Sequence, residues 1–427
     1  MTAPPAATPA NIESADIVVV GAGILGLAVA WALGQALGRD GGRSVLVVDR
    51  HPPATQATAR AAALLTRARG DAATAALVRD TYAAIAALED ELAEDLGLRR
   101  VGTLHVAASA ARVDALRALV AGNADPGADP VADPVEWLDG DGAARLAPCL
   151  SAEAIQRAAF MPLDGFIDPV RLADAYRRSA RRSGVRIRNG LSVRAIRVAR
   201  GHVAGIDTDH GFIAAPVVVN AAGAWAAGLA WSAGVGLPQA PVRSQYWITG
   251  PRPDLFPRDL PVLVMPDAGA YARPELGALL FGLRGRRSMA FDPARLPADT
   301  AGLELADSDG GWETLEEGWH ALARLCPPLL QAGIAHYVSG LSTYTADGRF
   351  ALGPVPDVEG LFMATGCCGA GIAASGGIGR SVAASVLGRP EPVELSHFAP
   401  GRLGAVDPFS PALRDACAAA RSGKTAG

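Results

Sequence analysis

Four apolar residues, Ile17-Val18-Val19-Val20, run straight into Gly21, Gly23 and Gly26 at G-x-G-x-x-G spacing. Leu25, Ala28, Val29, Ala32 and Leu33 then recur with the period of a helix face. Strand, glycine turn and helix in that order leave few architectures open. The apolar run reads as a buried parallel strand. Gly21 permits the tight turn, Gly23 lets a pyrophosphate approach the backbone, and Gly26 lets helix and strand pack closely. The free N–H groups and positive dipole end of the helix then face the phosphates. A second strand, Ser44-Val-Leu-Val-Val-Asp, ends in Asp49, 23 residues beyond Gly26. A carboxylate at that place accepts from ribose hydroxyls. The chain is therefore expected to hold a dinucleotide with Gly21, Gly23, Ile24, Leu25, Gly26, Asp49 and Arg50.

At 427 residues the chain is too long for one simple core, so two closely connected domains are expected. A net charge of −4 with no basic block argues against a nucleic-acid partner. Lys424 is the one lysine, arginine carrying the remaining positive charge. On sequence alone it leaves no lysine in any core for Schiff-base or oxygen-activating chemistry. Cys149, Cys326, Cys367, Cys368 and Cys417 show neither zinc spacing nor a disulfide framework, so no metal and a reducing compartment are expected. Residues 1–14 read as a disordered leader without an apolar signal region. No apolar run reaches membrane-spanning length. The expected location is the cytoplasm.

Residues 71–97 read as a long amphipathic helix, Val101–Ala107 as a strand, 110–122 as another helix and Asn123–Pro134 as a loop. Asp168 before Pro169 is an N-cap followed by proline at the first helical position. Residues 191–214 hold two or three antiparallel strands, and Pro216-Val-Val-Val-Asn is a buried one. Short strands dominate 240–335, with a helix through Trp312, Leu315, Trp319, Leu322 and Leu325. The segment after Pro392 is polar and reads as a tail along the surface.

Three separated segments carry a resemblance: Gly21–Gly26, Val219-Asn-Ala-Ala-Gly-Ala-Trp, and the pair Thr345-Ala-Asp-Gly-Arg-Phe-Ala-Leu-Gly-Pro and Ala364-Thr-Gly-Cys-Cys-Gly-Ala-Gly-Ile. Together they resemble the FAD-dependent D-amino-acid oxidase superfamily, in its glycine oxidase and sarcosine oxidase branch. The resemblance spans roughly residues 15–390. It implies a mixed α/β and α+β fold, in which a doubly wound Rossmann-like FAD-binding domain is interleaved with an antiparallel-sheet substrate domain. The FAD domain would comprise 15–95, 160–238 and 336–395, the substrate domain 96–159 and 239–335, and the tail 396–427. The glycine-rich run 366–379, between a strand and a helix, favours FAD over a nicotinamide cofactor. It brings a second helix N-terminus to the cofactor, where its dipole can stabilise negative charge on the reduced ring.

For cofactor contact the resemblance adds Ala222, Gly223 and Trp225 at the middle strand end, and Val193 at the adenine. It also adds Arg60, Ala61, Ala62 and Leu64 along the ring, and Gly369, Ala370, Gly371 and Ile372 in the terminal run. Arg349 is counted with them, although its short Asp-Gly turn suits a structural part. An amino-acid substrate offers a carboxylate, which arginine binds bidentately. Arg67 and Arg273 are the candidates, with Tyr271 and Tyr344 lining a pocket over the ring; Arg69, Tyr246 and Trp247 come next.

Departures from the family pattern narrow the expectation. Ala370 stands where relatives often carry histidine, and Ala373 where sarcosine oxidases carry a carboxylate-binding lysine. Gly340 or a neighbour replaces the cysteine that attaches flavin, so FAD is expected to be noncovalent. The role of the Cys367–Cys368 pair stays open. The expected activity is oxidation of a C–N bond in an amine or amino acid by hydride transfer to flavin N5, giving an imine that hydrolyses. Oxygen or another acceptor would reoxidise the cofactor, and a homo-oligomer or partner subunit is compatible. The alternatives are a 2-hydroxy acid dehydrogenase of the same fold, and a flavin-binding protein without activity.

Overall fold

The computed structural model describes residues 13–38, 42–123, 134–300 and 310–424. The reading of 1–12 as a leader, and most of the Asn123–Pro134 loop, lie outside the described residues.

One sheet of six strands runs in the order Ala351–Pro354, Leu361–Thr365, Val217–Asn220, Ile17–Val20, Val45–Asp49 and Arg186–Asn189. Its pairings are parallel except the first, which is antiparallel. Both faces are covered, which is why its central strands are apolar without alternation. Ile17, Val19, Val45 and Val47 point into one core, where the helices Ile24–Leu37, Ala72–Leu92, Pro169–Arg182 and Ser375–Val386 pack. Val18, Val20, Leu46 and Val48 point into another, closed by Ile196, Val203, Ile206 and Ile213 of a four-stranded sheet.

Asp168 caps the Pro169–Arg182 helix by accepting from Val170 and Arg171 N–H, as its sequence requires. The Ser375–Val386 helix approaches its neighbours very closely. A Cβ on Gly377 would lie 2.4 Å from Leu77 O, and one on Gly379 would lie 2.5 Å from Ala28 O. These glycines of the terminal run therefore serve helix packing.

A second sheet has eight strands: Ile334–Thr345, Gln239–Thr249, Ala278–Leu283, Ala270–Glu275, Val262–Met265, Thr103–Ala107, Arg157–Met161 and Glu136–Leu138. It is antiparallel apart from the pairing of Val262–Met265 with Thr103–Ala107. Ile334–Thr345 pairs along its length with Gln239–Thr249, so residues 336–345 lie in this sheet and not with the nucleotide-binding strands. Trp247, expected to line a pocket, is fully buried and stacks on Phe281 at 5.7 Å. It belongs to one buried apolar cluster with Leu279, Leu315 and Leu322.

The polar C-terminal segment is not a surface wrap. Pro411–Ser422 is a helix, started by Ser410, whose hydroxyl accepts from Leu413 N–H at 3.2 Å. It buries Leu413, Cys417 and Arg421. Leu413 and Cys417 pack with Ala240, Val242 and Tyr344 on the two longest strands. No described helix is long and apolar enough to cross a membrane.

Candidate functional site

A cavity of about 310 Å³ opens at the C-terminal ends of Ile17–Val20 and Val45–Asp49. It is lined by Gly21, Gly23, Ile24, Leu25, Asp49, Arg50, Val193, Ala222, Gly223 and Trp225, all singled out from sequence. The three leading glycines have different reasons to be bare. Gly21 has φ +109°, and a Cβ there would lie 2.4 Å from Ala221 O. A Cβ on Gly26 would lie 1.9 Å from Gly21 O. Gly26 is thus set behind the turn and does not line the cavity. Gly23 is different: a Cβ there would meet only Thr58 Oγ1, at 3.5 Å. Protein packing leaves its open face for a ligand, as a pyrophosphate at this helix start requires. That cradle fits FAD.

Asp49 ties the turn to the second strand as well as facing the cavity. Its Oδ2 accepts from Ala22 N–H at 2.6 Å and its Oδ1 from His51 N–H at 2.8 Å. Arg50 stacks over the Trp225 ring at 4.9 Å, and burial lowers its pKa. Thr58 also belongs to this wall and was not foreseen. Its hydroxyl accepts from Ile24 N–H at 3.0 Å, anchoring the small-residue segment to the first helix.

A second cavity, of about 170 Å³, shares Ile24, Ala57, Thr58, Leu341 and Cys367 with the first. Arg60, Ala61, Ala62 and Leu64 line it from one side, Gly369, Gly371 and Ile372 from another. Ala63 between them holds φ +56° and Cys368 beside Gly369 holds φ +45°. An L-residue kept in that region costs about 1–2 kcal/mol, so both bends are imposed by their surroundings. Arg60 donates from Nη1 to Thr55 O at 2.8 Å and to Gln56 O at 3.1 Å. Cys367 lines both cavities, with its Sγ 3.1 Å from Ser342 Oγ. The Cys368 thiol is buried and pushed up to about 11 by that burial.

Tyr246, Tyr271 and Tyr344 line the second cavity. Burial raises the pKa of Tyr271 and Tyr344, which remain hydrogen-bond donors. Two glycines make room for them. A Cβ on Gly282 would lie 2.2 Å from the Tyr271 ring, and one on Gly369 would lie 2.7 Å from Tyr344 Oη.

The arginines expected at the substrate are not among the residues of these two cavities. Arg67 and Arg273 do not line either cavity. Arg67 stacks over Tyr82 at 4.3 Å, and its N–H is accepted by Asp164 at 3.1 Å. Arg273 pairs with Glu275 and donates from Nε to Ala62 O at 2.8 Å. It is thus tied to the Ala61–Leu64 segment and to a carboxylate two residues away on its own strand. Arg349 also lines neither cavity. Its carbonyl accepts from Thr345 Oγ1 at 2.6 Å inside the Asp-Gly turn. Ala370 is buried and does not line either cavity.

The cations that do line the second cavity are Arg60, Arg284, Arg421 and Lys424. Lys424, read from sequence as remote from any core, donates from Nζ to Cys368 O at 2.8 Å. Burial, with Arg284 and Arg69 next, pushes its pKa down to about 7. Sequence gave little sign of this, since the position depends on the C-terminal helix docking on the second sheet. The Arg421 and Lys424 spacing at one helix end was the only available signal. Among the described residues, no group of three or more His, Cys, Asp or Glu is placed to hold a metal ion.

Residues 16–385 match the family described as DAO, FAD dependent oxidoreductase. The mitochondrial dimethylglycine dehydrogenase of Mus musculus is 27% identical over 407 residues, covering 94% of this chain and 45% of that protein. The glycine oxidase of Geobacillus kaustophilus is 30% identical over 396 residues, covering 90% of this chain and 96% of that one. The crystal structure of L-proline dehydrogenase from P. horikoshii superposes with a TM-score of 0.79 at 21% identity, covering 92% of this chain and 98% of that one. This chain spans less than half the length of the dimethylglycine dehydrogenases it matches, but nearly all of the glycine oxidase.

Proposed function

The chain belongs to the DAO family of FAD-dependent oxidoreductases, and from that premise we propose that it oxidises the C–N bond of an amine or amino acid. The observation that carries this reading is the pair of abutting cavities. The first runs along the Gly21–Ile24 turn, and the second is walled by three tyrosines and by cations. The related proteins are named for glycine, dimethylglycine and proline, all of them amines carrying a carboxylate.

When bound, FAD supplies a two-electron acceptor for the hydrogen on the carbon next to nitrogen. The substrate then leaves as an imine, which water converts to a carbonyl compound and the free amine. Gly23 and the first turn of the Ile24–Leu37 helix would hold the pyrophosphate, and the Arg60–Leu64 segment and Gly369–Ile372 would flank the ring. Tyr246, Tyr271 and Tyr344 exclude water from the reacting carbon and donate hydrogen bonds to a substrate. Among the described residues no carboxylate or imidazole lines the second cavity. This wall serves catalysis by positioning the substrate.

The experiment is anaerobic mixing of the FAD-loaded protein with D- and L-amino acids, N-methyl amino acids and 2-hydroxy acids. Loss of the long-wavelength flavin absorbance with the amines alone supports the reading. Loss with hydroxy acids alone replaces it with C–O oxidation.

A further inference from the structure

We propose that residues 292–300, which leave the second sheet beside Val242, complete the FAD site as a strap and set how fast the cofactor enters and leaves. The inference goes beyond the amine-oxidation reading and holds whichever substrate is oxidised.

The root of the strap is fixed to the second sheet. Ala290 makes an antiparallel bridge with Val242 of the Gln239–Thr249 strand, and Phe291 N–H donates to Pro241 O at 2.8 Å. Asp292 then starts a short turn, accepting from Ala294 N–H at 3.0 Å. Arg414 of the C-terminal helix lies 3.8 Å from the same carboxylate. Leu296 packs against Ala224 and Leu341.

Beyond Leu296 the strap meets the rim of the first cavity residue by residue. Pro297 O accepts from Trp225 Nε1 at 2.9 Å. Ala298 O lies 2.9 Å from His51 Nε2 and accepts from Arg50 Nη1 at 3.3 Å. Asp299 Oδ1 accepts from Gln56 Nε2 at 3.4 Å, and Thr300 Oγ1 donates to Gln56 Oε1 at 2.5 Å. Trp225 follows the Val217–Asn220 strand, whereas Arg50, His51 and Gln56 follow Val45–Asp49. All four line the cavity, together with Pro293 and Thr300 of the strap itself. The segment therefore spans the cavity from one rim element to the other.

The latches suit a gate. Those to Ala298 O and Asp299 are exposed to water, so each contributes little and opens readily. Pro293 and Pro297 restrict the backbone, so the strap moves as a stiff piece about its fixed root. A dinucleotide behind it exchanges only while the strap is open. Entry and release then both scale with the open fraction, while affinity, their ratio, hardly changes as long as the strap stays mostly closed. A segment that only contributed contacts to FAD would change release and affinity together.

Exchange of bound FAD for excess 5-deaza-FAD, followed by absorbance, measures release. Stopped-flow mixing of the apoprotein with FAD measures uptake. Gln56→Leu removes one pair of latches, and Pro297→Gly softens the strap at a residue that does not line the cavity. Each variant should raise both rates about threefold to tenfold, as the loss of one or two weak hydrogen bonds does, with the Kd for FAD within about twofold of the native value. Backbone amides of 294–299 should exchange hydrogen more slowly once FAD packs beneath the closed strap. Native rates in both variants overturn the proposal. Faster release with unchanged uptake also overturns it, and makes these residues cofactor contacts without a gate. So does faster amide exchange on loading FAD, which would mean that the cofactor displaces the segment.

Discussion

The Lys424 ammonium lies 2.8 Å from the carbonyl oxygen of Cys368, which joins the segment just past the Pro411–Ser422 helix to the glycine-rich turn. Cys368 itself holds φ +45°. Gly369 leaves space for both the ammonium and the Tyr344 hydroxyl. The C-terminal helix and the terminal glycine run are therefore parts of one wall.

Two glycines of the opening turn should respond in opposite ways to the same substitution. Gly23→Ala introduces a methyl that meets only Thr58 Oγ1 at 3.5 Å. The protein should fold with its melting temperature nearly unchanged but bind FAD at least about tenfold more weakly, since the pyrophosphate must approach that face. Gly26→Ala puts a methyl 1.9 Å from Gly21 O. It should cost about 3 kcal/mol or more and yield little folded protein, as overpacking against backbone does. FAD titration with thermal melts separates the two. Normal FAD affinity in Gly23→Ala would remove the pyrophosphate from this turn.

Arg273 should prove to be a support and not a substrate ligand. Arg273→Met leaves Glu275 without its partner and frees Ala62 O. Melting should show a loss of about 2–3 kcal/mol, as for a broken, largely buried ion pair. Acetate affinity should stay within about threefold of the native value, less than the loss of a charge-assisted hydrogen bond. A selective collapse of acetate binding would return Arg273 to the substrate.

Asp164 and His105 should pull stability in opposite directions with pH. Burial pushes Asp164 up to about 7 from 3.8, against the opposing N–H and charge of Arg67. The folded protein then holds this proton more tightly than the unfolded chain between about pH 4 and 7, so its contribution falls as pH rises. Burial, with Arg69 next, pushes His105 down to about 4 from 6.5. The unfolded chain holds that proton more tightly between about pH 4 and 6.5, so this contribution rises with pH. Asp164→Asn should give a melting temperature that climbs across pH 4–6.5, and His105→Gln one that declines across pH 4–7. Each change is of the order of 3–4 kcal/mol. Profiles parallel to the native one in both variants would contradict these assignments.

The nucleotide half of the molecule was legible because its signals are local. Gly21, Gly23 and Gly26 act within one turn, and Asp168-Pro169 caps a helix by its own chemistry. On the second cavity only the tyrosines Tyr246, Tyr271 and Tyr344 were legible, because its charged residues are chosen by docking. Arg67, Arg273 and Arg349 are arginines in plausible segments, but each is engaged by a nearby tyrosine, a carboxylate or its own turn. Lys424 is separated from Cys368 by 56 residues, and only the seating of the C-terminal helix brings them together. Trp247 failed for a related reason: strand periodicity does not say which face of an eight-stranded sheet meets the cavity.

The most direct measurement of the central claim is the flavin spectrum of the FAD-loaded protein during anaerobic addition of a carboxylate-bearing amine series. Bleaching by at least one amino acid or N-methyl amino acid, with none by the matching 2-hydroxy acids, is the predicted result. A spectrum unmoved by every amine, or bleached by hydroxy acids alone, would contradict it.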